Sequence, residues 1–515
     1  MSSIPLSTIL VYYGAVINPE TLTSYSALPR ALMALDPGGY IAWIEPDVRP
    51  ELVRETIQKK LSEIQVPASN EVYVALTELE DGEFILPGFV DTHTHAPQVP
   101  NMGSEQIDHS GQQYELLDWL ENVTFPMESR FKDVEFAKKV YPGIVQRFID
   151  CGTTTCCYFG SIHLESTKVL ADAILKQGQR ALVGKCNMNQ NSPVHYCEPS
   201  VASSINATKE LISYIRSLKS DRVLPIVTPR FAISCTGELL HGLGDMLKAD
   251  NTLAVQTHVS ENKSEVEFTK SLFPECASYT DVYEKHGLLD ERTILAHAVL
   301  LEDEEMTLIK KRGAGISHCP TSNFNLRSGM AKVGEMLDRG IKVVGLGTDV
   351  SGGFTPSILT AIQHASICSK MVAVQFAATA ATTQPTSDSH SQFANKQLPL
   401  ATLLYLATMG GASLCCMTDK IGSFAPGKSF DALLVSGRPE TKNPAMWSLP
   451  DDFMESSNRG NHYDGEKARR RLDEMLERFF FGGDDRNILR VFVQGNCIGG
   501  TALHSLAEER NLLDS

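Results

Sequence analysis

Two histidines, His93 and His95, stand at alternate positions at the end of an apolar run that reads FILPGFVDTHTH. Side chains at positions i and i+2 of a β-strand point to the same face. Two imidazoles on one face can bind a single metal ion, although an ordinary pair of core or surface histidines has the same pattern. The pair by itself therefore makes a metal site only a hypothesis.

Three more residues able to bind a metal end later runs of the same kind. They are His258 in QTHVSEN, His297 in LAHAV and Asp349 in GLGTDVSGG. Nitrogen and carboxylate ligands with a position left for water are typical of a catalytic zinc site, whereas a structural zinc site is closed and usually uses cysteine. The zinc deaminase architecture that combines His-x-Glu with Pro-Cys-x-x-Cys is excluded, because the chain has no Cys-x-x-Cys.

These residues end short apolar runs that alternate with amphipathic stretches such as 204–220 and 304–313. That alternation indicates βα units and a parallel sheet. Eight units predict an α/β fold with a (β/α)8 TIM-type barrel, whose active site lies at the carboxyl ends of its strands. The predicted strands lie near 84–95, 153–163, 181–191, 223–234, 253–262, 293–299, 313–323 and 342–353.

Both ends of the chain carry short strand-like pieces separated by turns, unlike the middle. We predict that residues 1–85 and 421–515 form one small β-sandwich domain beside the barrel at 86–420. The small, polar stretch at 377–397 predicts a flexible insertion. Residues 459–481 predict a loop followed by an amphipathic helix in the C-terminal extension.

Composition excludes several classes of partner. The net charge is −16 with no basic patch or stripe, which favours a small-molecule substrate over nucleic acid. No apolar run reaches about 18 residues, so no membrane span is expected. Twelve cysteines without framework spacing predict reduced thiols in a cytoplasmic protein.

The ordered set of PGFVDTHTH, two later strand-end histidines and a final aspartate resembles the amidohydrolase superfamily. This resemblance implies that one zinc ion per chain is bound by a set of four residues. The implied ligands are His93, His95, His258 and Asp349. The fourth predicted strand does not end in lysine, where binuclear members carry a bridging carbamate, so a single metal is expected.

The same resemblance implies catalytic roles for three residues. Glu261, three positions after His258, is the implied proton shuttle, since a carboxyl group beside the metal can both accept and donate protons. His297 is expected to contact the attacking water or the developing oxyanion, and its alternative is a core histidine. Asp349 can also accept a hydrogen bond from a water that zinc activates.

Within the superfamily, residues 84–365 resemble the guanine deaminases, fungal members among them. The segments that carry the similarity include VDTHTHAPQ, LLDWLENVTFPMESRF, GTTTCCYFGSIH, VTPRFAISCT and HVSENKSEVEF. The resemblance implies that zinc-activated water attacks C2 of guanine, releasing ammonia and xanthine. It also implies a homodimer.

Substrate-binding roles are expected for Gln98, Arg230 and Phe231. Guanine presents acceptors at O6 and N7, which the Arg230 guanidinium can engage, while Phe231 can stack on the purine and Gln98 can contact a ring edge. A salt bridge at the barrel rim is the alternative for Arg230, and core packing is the alternative for Phe231.

Two other functions fit parts of the pattern. One is another mononuclear zinc aminohydrolase that acts on a related purine, pterin or triazine. The other is a non-catalytic scaffold with the same barrel, against which the intact set of candidate ligands and Glu261 counts.

Overall fold

The computed structural model describes residues 8–63, 73–104, 114–341, 343–380, 391–447 and 463–503. These residues fall into two compact units. The first draws on residues up to Phe89, on Ile149–Thr154 and on residues from Thr418 onward. The second consists of Val90–Phe148 and Thr155–Met417 and contains every residue singled out above for chemistry.

Seventeen strands are present in the described residues. They are β1 (Thr8–Thr21), β2 (Ser24–Leu35), β3 (Ile41–Glu45), β4 (Tyr73–Glu78), β5 (Glu83–Pro87), β6 (Phe89–His95), β7 (Thr153–Phe159), β8 (Arg180–Gly184), β9 (Cys186–Asn187), β10 (Val223–Pro229), β11 (Ala254–Val259), β12 (Thr293–His297), β13 (Gly315–His318), β14 (Val344–Leu346), β15 (Ala432–Ser436), β16 (Ile488–Val493) and β17 (Asn496–Gly499).

The helices of the described residues mostly follow the strands of the barrel. They are α1 (Val53–Glu63), α2 (Leu116–Trp119), α3 (Phe125–Ser129), α4 (Val134–Asp150), α5 (Leu164–Gln177), α6 (Val201–Ser217), α7 (Gly237–Ala249), α8 (Lys263–Leu272), α9 (Tyr279–Lys285), α10 (Asp303–Arg312), α11 (Pro320–Asn325), α12 (Val333–Asp338), α13 (Ile358–Ala380), α14 (Leu400–Tyr405), α15 (Gly411–Leu414) and α16 (Gly465–Gly482).

The barrel sheet has the order β14-β13-β12-β11-β10-β8-β7-β6, with β9 paired to β10. From β7 to β14 neighbouring strands are parallel, as a (β/α)8 barrel requires. Thr92 donates to the carbonyl of Leu346 (2.9 Å), and the Asp349 N–H donates to the carbonyl of His93 (2.8 Å). The first and last strands are thereby linked, and the predicted barrel is confirmed.

Two predicted strands are each divided in the structure. The run near 84–95 is not one strand: β5 belongs to the sheet of the chain ends, and only β6 belongs to the barrel. Gly88 separates them, and a Cβ at this position would lie 2.2 Å from the side chain of Thr154. The run near 181–191 is likewise divided into β8 and β9, so the prediction of single strands is wrong at both places.

The chain ends form one sheet with the order β17-β16-β15-β5-β1-β2-β3, in which β4 also pairs with β1. The C-terminal β15 pairs antiparallel with the N-terminal β5, which confirms that the two ends combine. On one face, the ring of Tyr12 lies 5.1 Å from that of Phe430 and 5.9 Å from that of Phe492. These rings join the two ends in one apolar core.

The predicted C-terminal helix and part of the predicted insertion lie within the described residues. The predicted amphipathic helix is α16, which buries Leu472, Leu476 and Phe479 among others. Of the predicted insertion at 377–397, residues 381–390 lie outside the described residues. The described part is structured: α13 extends to Ala380, and the Asp338 carboxylate accepts hydrogen bonds from the backbone N–H groups of 392–394.

All twelve cysteines lie within the described residues, and none of them forms a disulfide. Among the described helices, none combines the length and the apolar character needed to span a membrane.

Candidate active site

The five candidate metal-binding and catalytic side chains converge at the carboxyl ends of the barrel strands. His93 and His95 end β6, His258 lies in β11, His297 ends β12, and Asp349 follows β14. All five are buried, with at most 9% of any residue exposed. The structure therefore brings together every metal-binding residue that the sequence predicted.

The spacing of their polar atoms is that of ligands around one ion. Asp349 Oδ1 lies 3.1 Å from His93 Nε2 and 3.2 Å from His95 Nε2, and His95 Nε2 lies 3.2 Å from His258 Nε2. Ligand atoms of a tetrahedral zinc site, each at about 2.0–2.2 Å from the metal, are roughly 3.4 Å apart. Ligand atoms of His93, His258, His297 and Asp349 also lie within 4.8 Å of one another.

Unpaired buried nitrogens support a cation at this position. Neither ring nitrogen of His93 has a hydrogen-bond partner among the described residues, and the same is true of His297 Nε2. Buried polar atoms in proteins are normally paired, so such atoms beside an ionised carboxylate need an explanation. A cation bound at His93 Nε2 would supply a partner for that nitrogen, and the residues present fit zinc.

Backbone contacts orient the His258 ring. Its Nδ1 lies 2.5 Å from the carbonyl oxygen of Arg230, so Nδ1–H donates and Nε2 keeps its lone pair toward the cluster. Such outer hydrogen bonds select the tautomer of a metal-binding histidine.

His297 lies between the other candidate ligands and Glu261. Its Nε2 lies 3.5 Å from Glu261 Oε2 and 3.7 Å from Asp349 Oδ2, while its Nδ1 lies 2.9 Å from Asn323 Oδ1. His297 and Asp349 both have positive φ angles, 72° and 46°. Non-glycine residues in this conformation are strained, and such strain is concentrated at functional sites.

The protonation states suit metal binding. Burial lowers the pKa of His93 to about 4 and that of His258 well below the ordinary value. Burial raises the pKa of Asp349, but the neighbouring His93 and other histidines outweigh it, so the pKa falls well below the ordinary value. Neutral imidazoles and an ionised carboxylate are the forms that bind metals.

Glu261 is a buried carboxyl group placed for proton transfer. It lies between β11 and α8 and is 3% exposed. Ser328 donates to its Oε1 (3.1 Å), and the carboxylate of Glu265 accepts from its backbone N–H. Burial raises the pKa of Glu261 to about 7, against the effect of His297. A group with a pKa near neutrality is suited to general acid–base catalysis.

A cavity opens beside these groups at the carboxyl ends of the barrel strands. Its polar lining includes His95, Gln98, Arg230 and Glu261. Its apolar lining is formed by Leu116, Trp119, Leu120, Phe231 and Leu326.

Arg230 enters this cavity already paired. It follows β10, is 2% exposed, and donates from Nη1 to both carboxylate oxygens of Glu128 at 2.8 and 3.0 Å. Gln98 donates to the same carboxylate (2.7 Å), and its own oxygen accepts from the Ser351 N–H (3.0 Å). Arg230 is thus in a buried ion pair. The two polar side chains predicted to contact the substrate, Arg230 and Gln98, both donate hydrogen bonds to Glu128.

Phe231, the third predicted substrate-binding residue, is 5% exposed and lines the cavity, 6.2 Å from the His258 ring. It belongs to an apolar cluster with Leu116, Trp119 and Leu120, among others. Phe231 therefore packs in the apolar core and also forms part of the cavity wall.

Sequence reasoning missed several residues of the site. Glu128 carries no strand-end signal, since it lies in α3, and only its presence in the quoted segment TFPMESRF pointed to it. Tyr196, Asn323 and Ser328 are partners of Glu128, His297 and Glu261 respectively, and nothing in their spacing indicated this.

Residues 84–498 match the Amidohydrolase family. A probable guanine deaminase of Schizosaccharomyces pombe is 43% identical over 95% of this chain and 83% of its own length. The chain belongs to the guanine deaminases of the amidohydrolase family.

The chain is similar to other guanine deaminases as well. That of Dictyostelium discoideum is 39% identical over 95% of this chain and 98% of its own length. The crystal structure of the guanine deaminase from C. acetobutylicum, with guanine bound in the active site, superposes with a TM-score of 0.76 at 33% identity, covering 95% of this chain and 99% of that one. The part that matches the amidohydrolase family includes every residue of the cluster and cavity described above.

Proposed function

We propose that this enzyme hydrolyses guanine to xanthine and ammonia with one zinc ion, bound by His93, His95, His258 and Asp349. The observation that carries the proposal is one cavity, in which a buried cluster of histidine and aspartate and the carboxyl group of Glu261 lie beside a buried, ion-paired arginine. The cluster suits hydrolysis, and the arginine suits a purine that carries acceptors.

Recognition of guanine uses the N–H groups of Arg230 that do not donate to Glu128. Its Nη1 is taken by Glu128, whereas its Nε and Nη2 make no hydrogen bond to a described residue. These donors match O6 and N7 of guanine. The Phe231 ring, in the cavity wall, supplies an apolar surface for the purine.

A zinc ion in this cluster would supply a water molecule with a pKa lowered toward 7. Glu261 can accept a proton from the attacking water and donate it to the ring nitrogen next to C2 as the C2–O bond forms. It can then move the remaining hydroxyl proton to the amino group, so that the C2–N bond breaks, ammonia leaves and C2 becomes the carbonyl carbon of xanthine. Burial and a pKa of about 7 equip Glu261 for both transfers.

His297 and Asp349 are placed to contact the attacking water and the oxygen atom on which negative charge develops. The 3.7 Å between His297 Nε2 and Asp349 Oδ2 places both groups on the cluster side of the cavity. Asp349 accepts a hydrogen bond from the water, and His297 contacts the oxygen on which charge develops. Asn323 holds the His297 ring for that contact.

The direct test is ammonia release by the zinc-loaded protein from a panel of purines, pterins and triazines. Guanine is expected to have the highest kcat/KM. A clearly better substrate outside guanine would favour the other aminohydrolase function, and no turnover at all would favour a non-catalytic scaffold.

Arg230→Met is expected to lower kcat/KM for guanine roughly 10- to 150-fold. This factor corresponds to the loss of about 1.5–3 kcal/mol, the usual value of a charged hydrogen bond. The ratio of kcat/KM for guanine to that for 2,6-diaminopurine, which keeps the 2-amino group but replaces O6, is expected to fall. Steady-state kinetics on both substrates measure this.

The matched control for this substitution is Arg216→Met, which removes an arginine from an ion pair with Asp250 outside the cavity. It is expected to leave both substrates unaffected. If Arg230→Met changed neither guanine turnover nor the substrate ratio, Arg230 would have no part in recognition.

The active form is a cytoplasmic homodimer. Family resemblance supports the dimer, and twelve free thiols support a reducing compartment. Light scattering of the purified protein measures the mass, and cell fractionation gives the location.

A further inference from the structure

Glu128 is a fully buried carboxylate whose side-chain hydrogen-bonding neighbours are all donors. Arg230 Nη1 donates to both oxygens, Gln98 Nε2 donates to Oε1 (2.7 Å), and the Tyr196 hydroxyl donates to Oε2 (2.5 Å). The residue is 0% exposed. An ionised carboxylate accepts from all three, whereas an amide in its place turns an NH2 group toward at least one donor.

These contacts determine the placement of both polar side chains assigned to purine recognition. The amide of Gln98 is held at both ends, by Glu128 and by the Ser351 N–H. Arg230 is held through Nη1, which leaves its other nitrogens to the cavity. Glu128 therefore orients the recognition groups although it is not itself in the cavity wall.

Glu128 also balances the charge of Arg230 in the cavity wall. Arg230 is the only arginine or lysine among the described residues that line it. A buried cation without a partner strongly attracts an anion, because no solvent screens it. The carboxylate at 2.8 Å cancels that attraction.

We propose that Glu128 is a positioning and specificity-determining residue, which orients Arg230 and Gln98 and makes the cavity favour neutral purines over anionic ones. This proposal rests on the proposed function, in which the substrate guanine is neutral and the product xanthine is a stronger acid. With Arg230 neutralised by Glu128, the enzyme does not retain the xanthine anion, so the product leaves the site more readily.

Equilibrium binding tests this proposal without depending on turnover. Hypoxanthine and xanthine share the O6 and N7 acceptors, and at mildly alkaline pH the former is neutral and the latter anionic. Calorimetry on the zinc-loaded protein gives the ratio of the hypoxanthine Kd to the xanthine Kd at one pH. Zinc content is measured for every variant and is expected to equal that of the wild type.

The expected changes in that ratio follow the charge. Glu128→Gln leaves Arg230 unpaired and is expected to shift the ratio at least tenfold toward xanthine. Arg230→Met leaves the Glu128 carboxylate unpaired and shifts it in the opposite direction. The double variant removes both charges and returns the ratio to within about threefold of the wild type.

Glu198→Gln is the matched control, since Glu198 is a second buried carboxylate, paired with Lys185 away from the cavity. It is expected to lower the melting temperature and leave the ratio unchanged. A ratio that stays constant across the Glu128 and Arg230 variants, or a wild type that binds neither purine, overturns the proposal. If Glu128→Gln does not fold, the opposite shift in Arg230→Met and the return in the double variant decide it.

A protein that shows these shifts but releases no ammonia from guanine would refute the proposed function and leave only the role of Glu128 in binding selectivity standing. A protein that deaminates guanine without these shifts would support the proposed function and refute the role of Glu128.

Discussion

Glu261→Gln is expected to keep its zinc and to lose about 10⁴-fold or more in kcat, because general acid–base catalysis is typically worth 10²–10⁴-fold and Glu261 serves more than one proton transfer. The amide has nearly the same shape as the carboxyl group but cannot carry a proton. Steady-state kinetics with guanine and metal analysis of the same sample measure both quantities.

Glu305→Gln is a suitable control for that variant. Glu305 is 3% exposed, like Glu261, but it lies in α10 and accepts from Thr280, outside the cavity. Its substitution is expected to reduce stability and leave kcat unchanged. A loss of less than about tenfold in Glu261→Gln would remove Glu261 from the proton-transfer steps.

Removal of the metal is expected to abolish turnover, and zinc is expected to restore it at about one ion per chain. His93→Ala and Asp349→Ala are each expected to lose most of the zinc, because their ligand atoms lie 3.1 Å apart in the centre of the cluster. Metal analysis after dialysis, paired with ammonia release, measures occupancy and activity together.

His286→Ala is the control for these two variants. His286 caps the end of α9, where its Nδ1 lies 2.7 Å from the carbonyl of Val282, and it is not part of the cluster. It is expected to retain zinc and activity. Full activity in rigorously metal-free wild-type protein would contradict a metal-dependent mechanism.

The positions of the candidate metal ligands could be predicted because barrel geometry leaves little freedom. Residues two apart in β6 share a face, and the carboxyl ends of parallel strands meet at one mouth. A histidine at the end of β11 or β12 therefore has to lie near His93 and His95, whatever the intervening helices do.

Glu128 could not be predicted from spacing, because its position depends on packing rather than on a strand. It is carried by α3, which follows α2 and a π-helical turn at Leu120–Thr124. The path of such a segment is decided by apolar contacts, such as those that Trp119 and Phe125 make within one cluster. No periodicity in the sequence reports which carboxylate will meet Arg230.

The division between β5 and β6 also escaped the sequence pattern. Both strands are apolar and only Gly88 separates them, so the run looks continuous. Glycine is required there because the Thr154 side chain fills the space that a Cβ needs. A close approach between segments distant in sequence leaves no local signal apart from the glycine itself.

The double role of Arg230 shows where this enzyme can be redesigned. Its backbone carbonyl orients His258, a proposed metal ligand, while its side chain pairs with Glu128. A substitution that displaces the Arg230 backbone is therefore expected also to displace this proposed ligand and to lower the catalytic rate. The helical stretch from Leu116 to Ser129 does not have this constraint, because it contributes cavity wall and the Glu128 carboxylate but no ligand. Libraries aimed at other purines belong in that stretch, with the barrel strands left untouched.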